Sequence, residues 1–126
     1  MDEQRGTPEK LIFVYNADSG LGNMLLDGAH KILQPSTYAC SLCSLTFGAF
    51  TEKATWKRFR EAHPVEMVFL HKDEFNKQYA SKFGHKFSFP IVLAETRSGL
   101  EVGVTTEELN ALEKTENLMD LITKRI

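Results

Sequence analysis

The sequence predicts an α/β protein built on a four-stranded mixed sheet flanked by helices. Three observations carry that prediction. Two continuous β-rich apolar runs, "LIFVY" at 11–15 and "VEMVFLH" at 65–71, are each followed by a helical pattern, as in parallel strands buried on both faces. A third run, "FPIVLAE", is joined through "TRSG" to the alternating "LEVGV", the mark of an antiparallel hairpin. A final amphipathic segment then closes the chain. Strands near 11–16, 66–71, 90–95 and 100–104 are therefore expected in one sheet, with the first two parallel and the last helix packed on it.

The remaining elements follow from local chemistry. Residues 1–10 carry Gly6 and Pro8 and no periodicity, which marks a loose lead-in to a single domain at 11–126. After the first strand, Asp18 or Ser19 is placed to cap a helix. Its stripe would be Leu25, Leu26, Ala29, Ile32 and Leu33, and Pro35 would stop it. Thr51 is the expected cap of a short helix carrying Ala54, Trp56 and Phe59, ended by His63-Pro64. Asp73 is the expected cap of a helix with Phe75, Tyr79 and Phe83 on one face and Gly84 at its C′ position. Leu100, Val102 and Val104 alternate as in an edge strand. Thr105-Thr106-Glu107-Glu108 reads as a capping box, and Thr115 starts a last helix with Leu118, Met119, Ile122 and Ile126 inward.

Composition narrows the function classes. The chain has 126 residues, enough to bury a core without covalent staples. Its 15 basic and 17 acidic residues give a net charge of −2, with neither a nucleic-acid footprint nor a polybasic membrane patch. The longest apolar runs are far short of a membrane span, and the polar start "MDEQRGTPEK" does not read as a signal peptide. These features predict a soluble cytoplasmic protein that binds neither nucleic acid nor membrane. Oligomeric state is not written in the composition.

The element order β–α–(cysteine segment)–α–β–α–β–β–α resembles the thioredoxin-like superfamily over residues 11 to 125. In that family a cis-proline opens the third strand beside the functional site, and Phe89-Pro90-Ile91-Val92 stands at that position. The resemblance implies that Pro90 is preceded by a cis bond and shapes the substrate side of a site. The phrases "LIFVYNADSG", "YACSLCSLTFG" and "FLHKDEF" are also similar to a group of short bacterial proteins of unsettled function, some of which carry the label GTPase. This chain has no G-x-x-x-x-G-K-[ST] to cradle phosphates, and Ser19-Gly20-Leu21-Gly22 lacks the lysine.

The chemistry-bearing feature is Cys40-Ser-Leu-Cys43, the chain's 2 cysteines. Such a pair on a first helical turn is a candidate thiol–disulfide site, exchanging with a protein or small-thiol partner. Cys40, as the N-terminal and usually more exposed member, is the expected attacking sulfur. The same residues offer a second reading, a soft-metal site for zinc or Cu(I), with His30 as third ligand and His71 as the next candidate. A third reading makes them small buried hydrophobes in a non-catalytic interaction module. Its contact surfaces would be the strand at 100–104 and the aromatic helix. One departure from the thioredoxin pattern stands out: about 25 residues separate Tyr15 from Cys40. The pair occupies the family's usual place only if the first helix is an insertion.

Overall fold

The computed structural model describes residues 8–17, 19, 20, 25, 26, 28–30, 33, 40–48, 51–83 and 87–126. Strand β1 (Lys10–Tyr15) is followed by helical residues between 25 and 33 and by the short helix α1 (Ser41–Thr46). Then come α2 (Ala54–Ala62), β2 (Glu66–His71), α3 (Lys72–Phe83), β3 (Ile91–Thr96), β4 (Gly99–Val104), α4 (Thr106–Ala111) and α5 (Thr115–Arg125). The sheet order is β2-β1-β3-β4, with β1 parallel to β2 and antiparallel to β3, and β3 antiparallel to β4. This is the thioredoxin-like four-stranded mixed sheet flanked by helices. Among the described residues, no helix is long and apolar enough to cross a membrane.

The alternation of β1 divides the core in two. Leu11, Phe13 and Tyr15 point to one face, where Leu42, Leu45, Trp56, Leu109, Leu118 and Ile122 from α1, α2, α4 and α5 meet them. Ile12 and Val14 point to the other face, where Phe75 of α3 packs with Ile91 and Leu93. There Phe75 stacks on Tyr79 at 5.1 Å and meets Phe87 and Phe89 edge to face, each at 5.9 Å. Both faces of the central strand are thus covered, so four consecutive residues, Leu11 to Val14, are fully buried.

Several expectations need correction. Strand β2 is not buried on both faces: Glu66 is exposed and every other residue is only partly covered, because β2 lies at the sheet edge. Strand β1 begins at Lys10, inside the expected lead-in, where Lys10 sits between Glu66 and Glu95. Of the stripe at 25–33, Leu25, Leu26 and Leu33 do not face the core, being 52%, 70% and 77% exposed. Other helices already cover both faces of β1. Thr51 caps no helix; its carbonyl accepts the Gly48 N–H at 2.8 Å, and Lys53 is the N-cap residue of α2. The Ser19 N–H and hydroxyl donate to Asp73 at 3.0 and 2.7 Å, and the first turn that Ser19 is expected to cap lies outside the described residues. That bonding holds the Asp73 carboxyl below its ordinary pKa, the Ser19 hydroxyl being the largest cause. At the start of α3 it is Glu74, not Asp73, that accepts the His71 N–H, at 2.7 Å. The expected positions Asp18, Ile32, Pro35, Gly84 and His85 and the side chain of Phe83 lie outside the described residues.

The even alternation of β4 is also broken. Val102 pairs with Leu93, but Val104 pairs with Val92, so Gly103 is an extra residue opposite the partner strand. That bulge sends Val104 to the face of Trp56 and leaves Leu100 on the face of Phe75, while Val102 is 47% exposed.

The C-terminal helices are held by the anticipated capping chemistry and by one ion pair. Thr105 Oγ1 accepts the Glu108 N–H at 3.0 Å, and Glu108 Oε1 accepts the Thr105 N–H at 2.9 Å. Arg125 then reaches back from the end of α5, donating to Glu108 Oε1 at 2.8 Å and to the Gly103 carbonyl at 2.9 Å. The Arg125 guanidinium, foremost, and the Thr105 N–H lower the Glu108 pKa to about 2 from 4.5. A carboxyl so depressed stabilises the fold above its unfolded pKa and ceases to do so as pH falls through about 2. Arg125→Met should therefore lower the melting temperature at pH 7 and flatten its decline below pH 4.5, as a thermal melt series across acid pH would show. Both side chains are more than a third exposed, so the loss should be at most about 1 kcal/mol.

Candidate functional site

Cys40 is the N-cap residue of α1, with extended backbone at φ −112° and ψ 92°. Its sulfur is bonded to that of Cys43 in a disulfide whose Cα atoms are 5.2 Å apart. The segment folds this way because Ser41, Leu42 and Ser44 permit a tight first turn, while Leu42, Leu45 and Thr46 anchor the helix in the core. Thr46 Oγ1 donates to the Leu42 carbonyl at 2.9 Å, and the Thr115 hydroxyl of α5 donates to the Leu45 carbonyl at 2.6 Å. Ser41 Oγ donates to Asn110 Oδ1 of α4 at 2.7 Å. The helix is thereby fixed to both C-terminal helices.

Cys40 Sγ accepts two backbone N–H groups, from Cys43 at 3.2 Å and from Asn16 at 3.3 Å. The first is a capping bond with sulfur in place of oxygen. The second decides where the pair lies. Asn16 directly follows β1, so the chain returns at Cys40 to the C-terminal end of the strand it left at Tyr15. Pro90 sits at the same end of the sheet. The Phe89–Pro90 bond is cis, and the antiparallel register pairs Val14 with Ile91, placing Pro90 one step on, beside Tyr15.

The electrostatics of the pair are local. Helix α1 has 6 residues, so its macrodipole is small, and the polar groups directed at Cys40 Sγ are these two N–H donors. Exposure runs opposite to expectation: Cys40 is 1% exposed and Cys43 6%. The cause is the position of Cys40 between the end of β1 and the start of α1. Behind the pair, the Tyr15 phenol is hydrogen-bonded to Thr46, and burial pushes its pKa up to about 12, so it stays neutral.

Among the described residues, no group of three or more His, Cys, Asp or Glu is gathered closely enough to hold a metal ion. His71 Nδ1 lies 3.0 Å from Glu74 Oε1 at the head of α3. That bond and the Glu74–backbone bond to His71 lower the Glu74 pKa, the backbone bond being the larger cause. No known protein-family model, curated protein or solved structure matches this chain.

Two contributors were not visible in the sequence. Asn16 acts through its backbone amide, which has no side-chain signature. Thr46 is a buried hydroxyl inside an apolar helix, and its link to Tyr15 spans a connection of unpredictable path.

Proposed function

We propose that this chain is a small cytoplasmic member of the thioredoxin-like superfamily in which Cys40 and Cys43 form a thiol–disulfide exchange site. The observation that carries the reading is the pair's place: a Cys-x-x-Cys disulfide at the head of α1, against the end of β1, at the sheet end where cis-Pro90 opens β3. Pro90 shapes the substrate side of that site. The substrate is a thiol of a protein or a small molecule.

Hydrogen bonding and exposure divide the roles of the sulfurs. An external thiolate attacks Sγ of Cys43, the less deeply buried residue of the pair, and forms a mixed disulfide as the Cys40–Cys43 bond breaks. The bonding pair leaves with Cys40, whose thiolate is received by the N–H groups of Asn16 and Cys43. A second thiolate then attacks the external sulfur, releasing a disulfide and the Cys43 thiolate, which takes up a proton. In sum, two thiols are oxidised to one disulfide and the Cys40–Cys43 disulfide is reduced to a dithiol; the reverse sequence oxidises the pair. The low-pKa sulfur is the better leaving group, and that is the function of the two N–H donors. The pH dependence of alkylation of the reduced chain tests the assignment. One thiol should titrate below the ordinary value of about 8.5 and should map to Cys40. Two thiols titrating at or above that value would refute it.

A further inference from the structure

Helix α4 reaches both the cysteine turn and the segment that carries Pro90. Thr106 and Asn110 are four residues apart, so they project from one side of the helix. Thr106 Oγ1 lies 2.6 Å from Ser88 Oγ, and Ser88 stands two residues before cis-Pro90. Asn110 Oδ1 accepts the Ser41 hydroxyl at 2.7 Å, and Ser41 directly follows Cys40, between the two sulfurs of the disulfide.

A helix of this length does not hold its shape by its own hydrogen bonds. Its surroundings hold it. Leu109 is fully buried in the core cluster that contains Cys40 and Cys43, the capping box closes the first turn, and Arg125 of α5 pairs with Glu108. Asn110 itself is exposed, so its truncation opens no cavity. In the cysteine turn, Leu42 anchors the inner side in the core, and the Ser41–Asn110 bond anchors the outer side. The Thr115 hydroxyl grips α1 only at the Leu45 carbonyl, beyond Cys43.

We propose that Asn110 is a positioning residue for thiol–disulfide exchange, a role that rests on the exchange reading of the cysteine pair. It acts through Ser41 to keep the turn closed while the pair is reduced. In the oxidised chain the sulfur–sulfur bond restrains the turn by itself, and the Ser41 bond adds little. In the dithiol that covalent restraint is gone, and the bond to Asn110 ties the residue beside Cys40 to a fixed helix. A turn already held in the closed geometry loses less conformational entropy when the disulfide forms. The tether therefore favours oxidation of the pair.

The test is the equilibrium in which the reduced chain and oxidised β-mercaptoethanol give the Cys40–Cys43 disulfide and two molecules of β-mercaptoethanol. Asn110→Ala should lower the constant for forming the protein disulfide by about fivefold, the worth of one net hydrogen bond. Ser41→Ala should lower it by the same factor, and the double variant by no more than either single one. The oxidised variants should keep the native circular dichroism. An Asn110→Ala chain with the wild-type constant overturns the proposal, whatever its melting temperature, and so do losses that add in the double variant. Either outcome leaves the exchange reading standing, because the wild type still equilibrates. A wild-type pair that does not equilibrate with the reagent overturns the exchange reading and this role together.

Discussion

Cys40→Ser and Cys43→Ser are each expected to abolish catalytic disulfide exchange, because one sulfur forms the mixed disulfide and the other resolves it. Each variant retains one cysteine, so each should still be captured as a mixed disulfide by an activated thiol reagent, without turnover. The two should differ in rate of capture. Cys43, left in Cys40→Ser, is the less deeply buried residue, whereas Cys40, left in Cys43→Ser, is more deeply set but keeps the Asn16 N–H. Capture at Cys40 should therefore persist to lower pH than capture at Cys43. Exchange assays, mass spectrometry of trapped adducts and thermal melts on the two variants separate the possibilities. A metal site would instead show metal release together with a fall in melting temperature, because binding free energy adds to folding free energy. A purely structural pair would lose stability with no change in thiol chemistry.

The largest loss of stability should follow Trp56→Ala. Trp56 is fully buried and is the hub of the aromatic cluster on the face that carries α1. Its ring meets Phe13 edge-on at 5.5 Å, Phe59 at 5.6 Å and Phe69 at 6.3 Å. Phe13 in turn stacks on Phe69 at 4.9 Å, so the tryptophan joins α2 to both parallel strands. Truncation should cost about 3–5 kcal/mol, the range for a large aromatic removed from a core. Trp56→Phe should cost much less. The indole Nε1 is buried without a hydrogen-bond partner among the described residues, and phenylalanine removes that unpaired donor along with part of the ring. Chemical denaturation of the two variants would measure the difference. Equal losses would show that the N–H is satisfied in solution.

The fold was legible because strand β1 is a continuous apolar run and the hairpin carries its own turn. Gly99 takes φ 118°, a conformation that favours glycine, at the point where "TRSG" ends. The capping box at Thr105 and the fresh start at Thr115 were legible for the same reason: their signals lie within four residues of one another. Long-range features were not. The edge position of β2 is a property of sheet order, and an apolar run alone does not tell an edge strand from a central one. The bulge at Gly103 depends on the register against Val92 and Leu93, which the strand's own alternation conceals. At the site, the spacing of Cys40 and Cys43 was plain, but their position against the end of β1 was not, because the Asn16–Cys40 hydrogen bond that fixes it links residues 24 apart through a backbone amide.

The most direct test of the central claim is the redox equilibrium of the wild-type pair. The chain would be equilibrated in buffers of graded thiol-to-disulfide ratio, quenched with acid, alkylated, and weighed by mass spectrometry. The account predicts one reversible two-electron transition, reached from either direction, with Cys40 and Cys43 alkylated together in the reduced form and the native circular dichroism retained throughout. A pair that stays oxidised at every ratio while the chain remains folded, or one that reduces only when the chain unfolds, would contradict it.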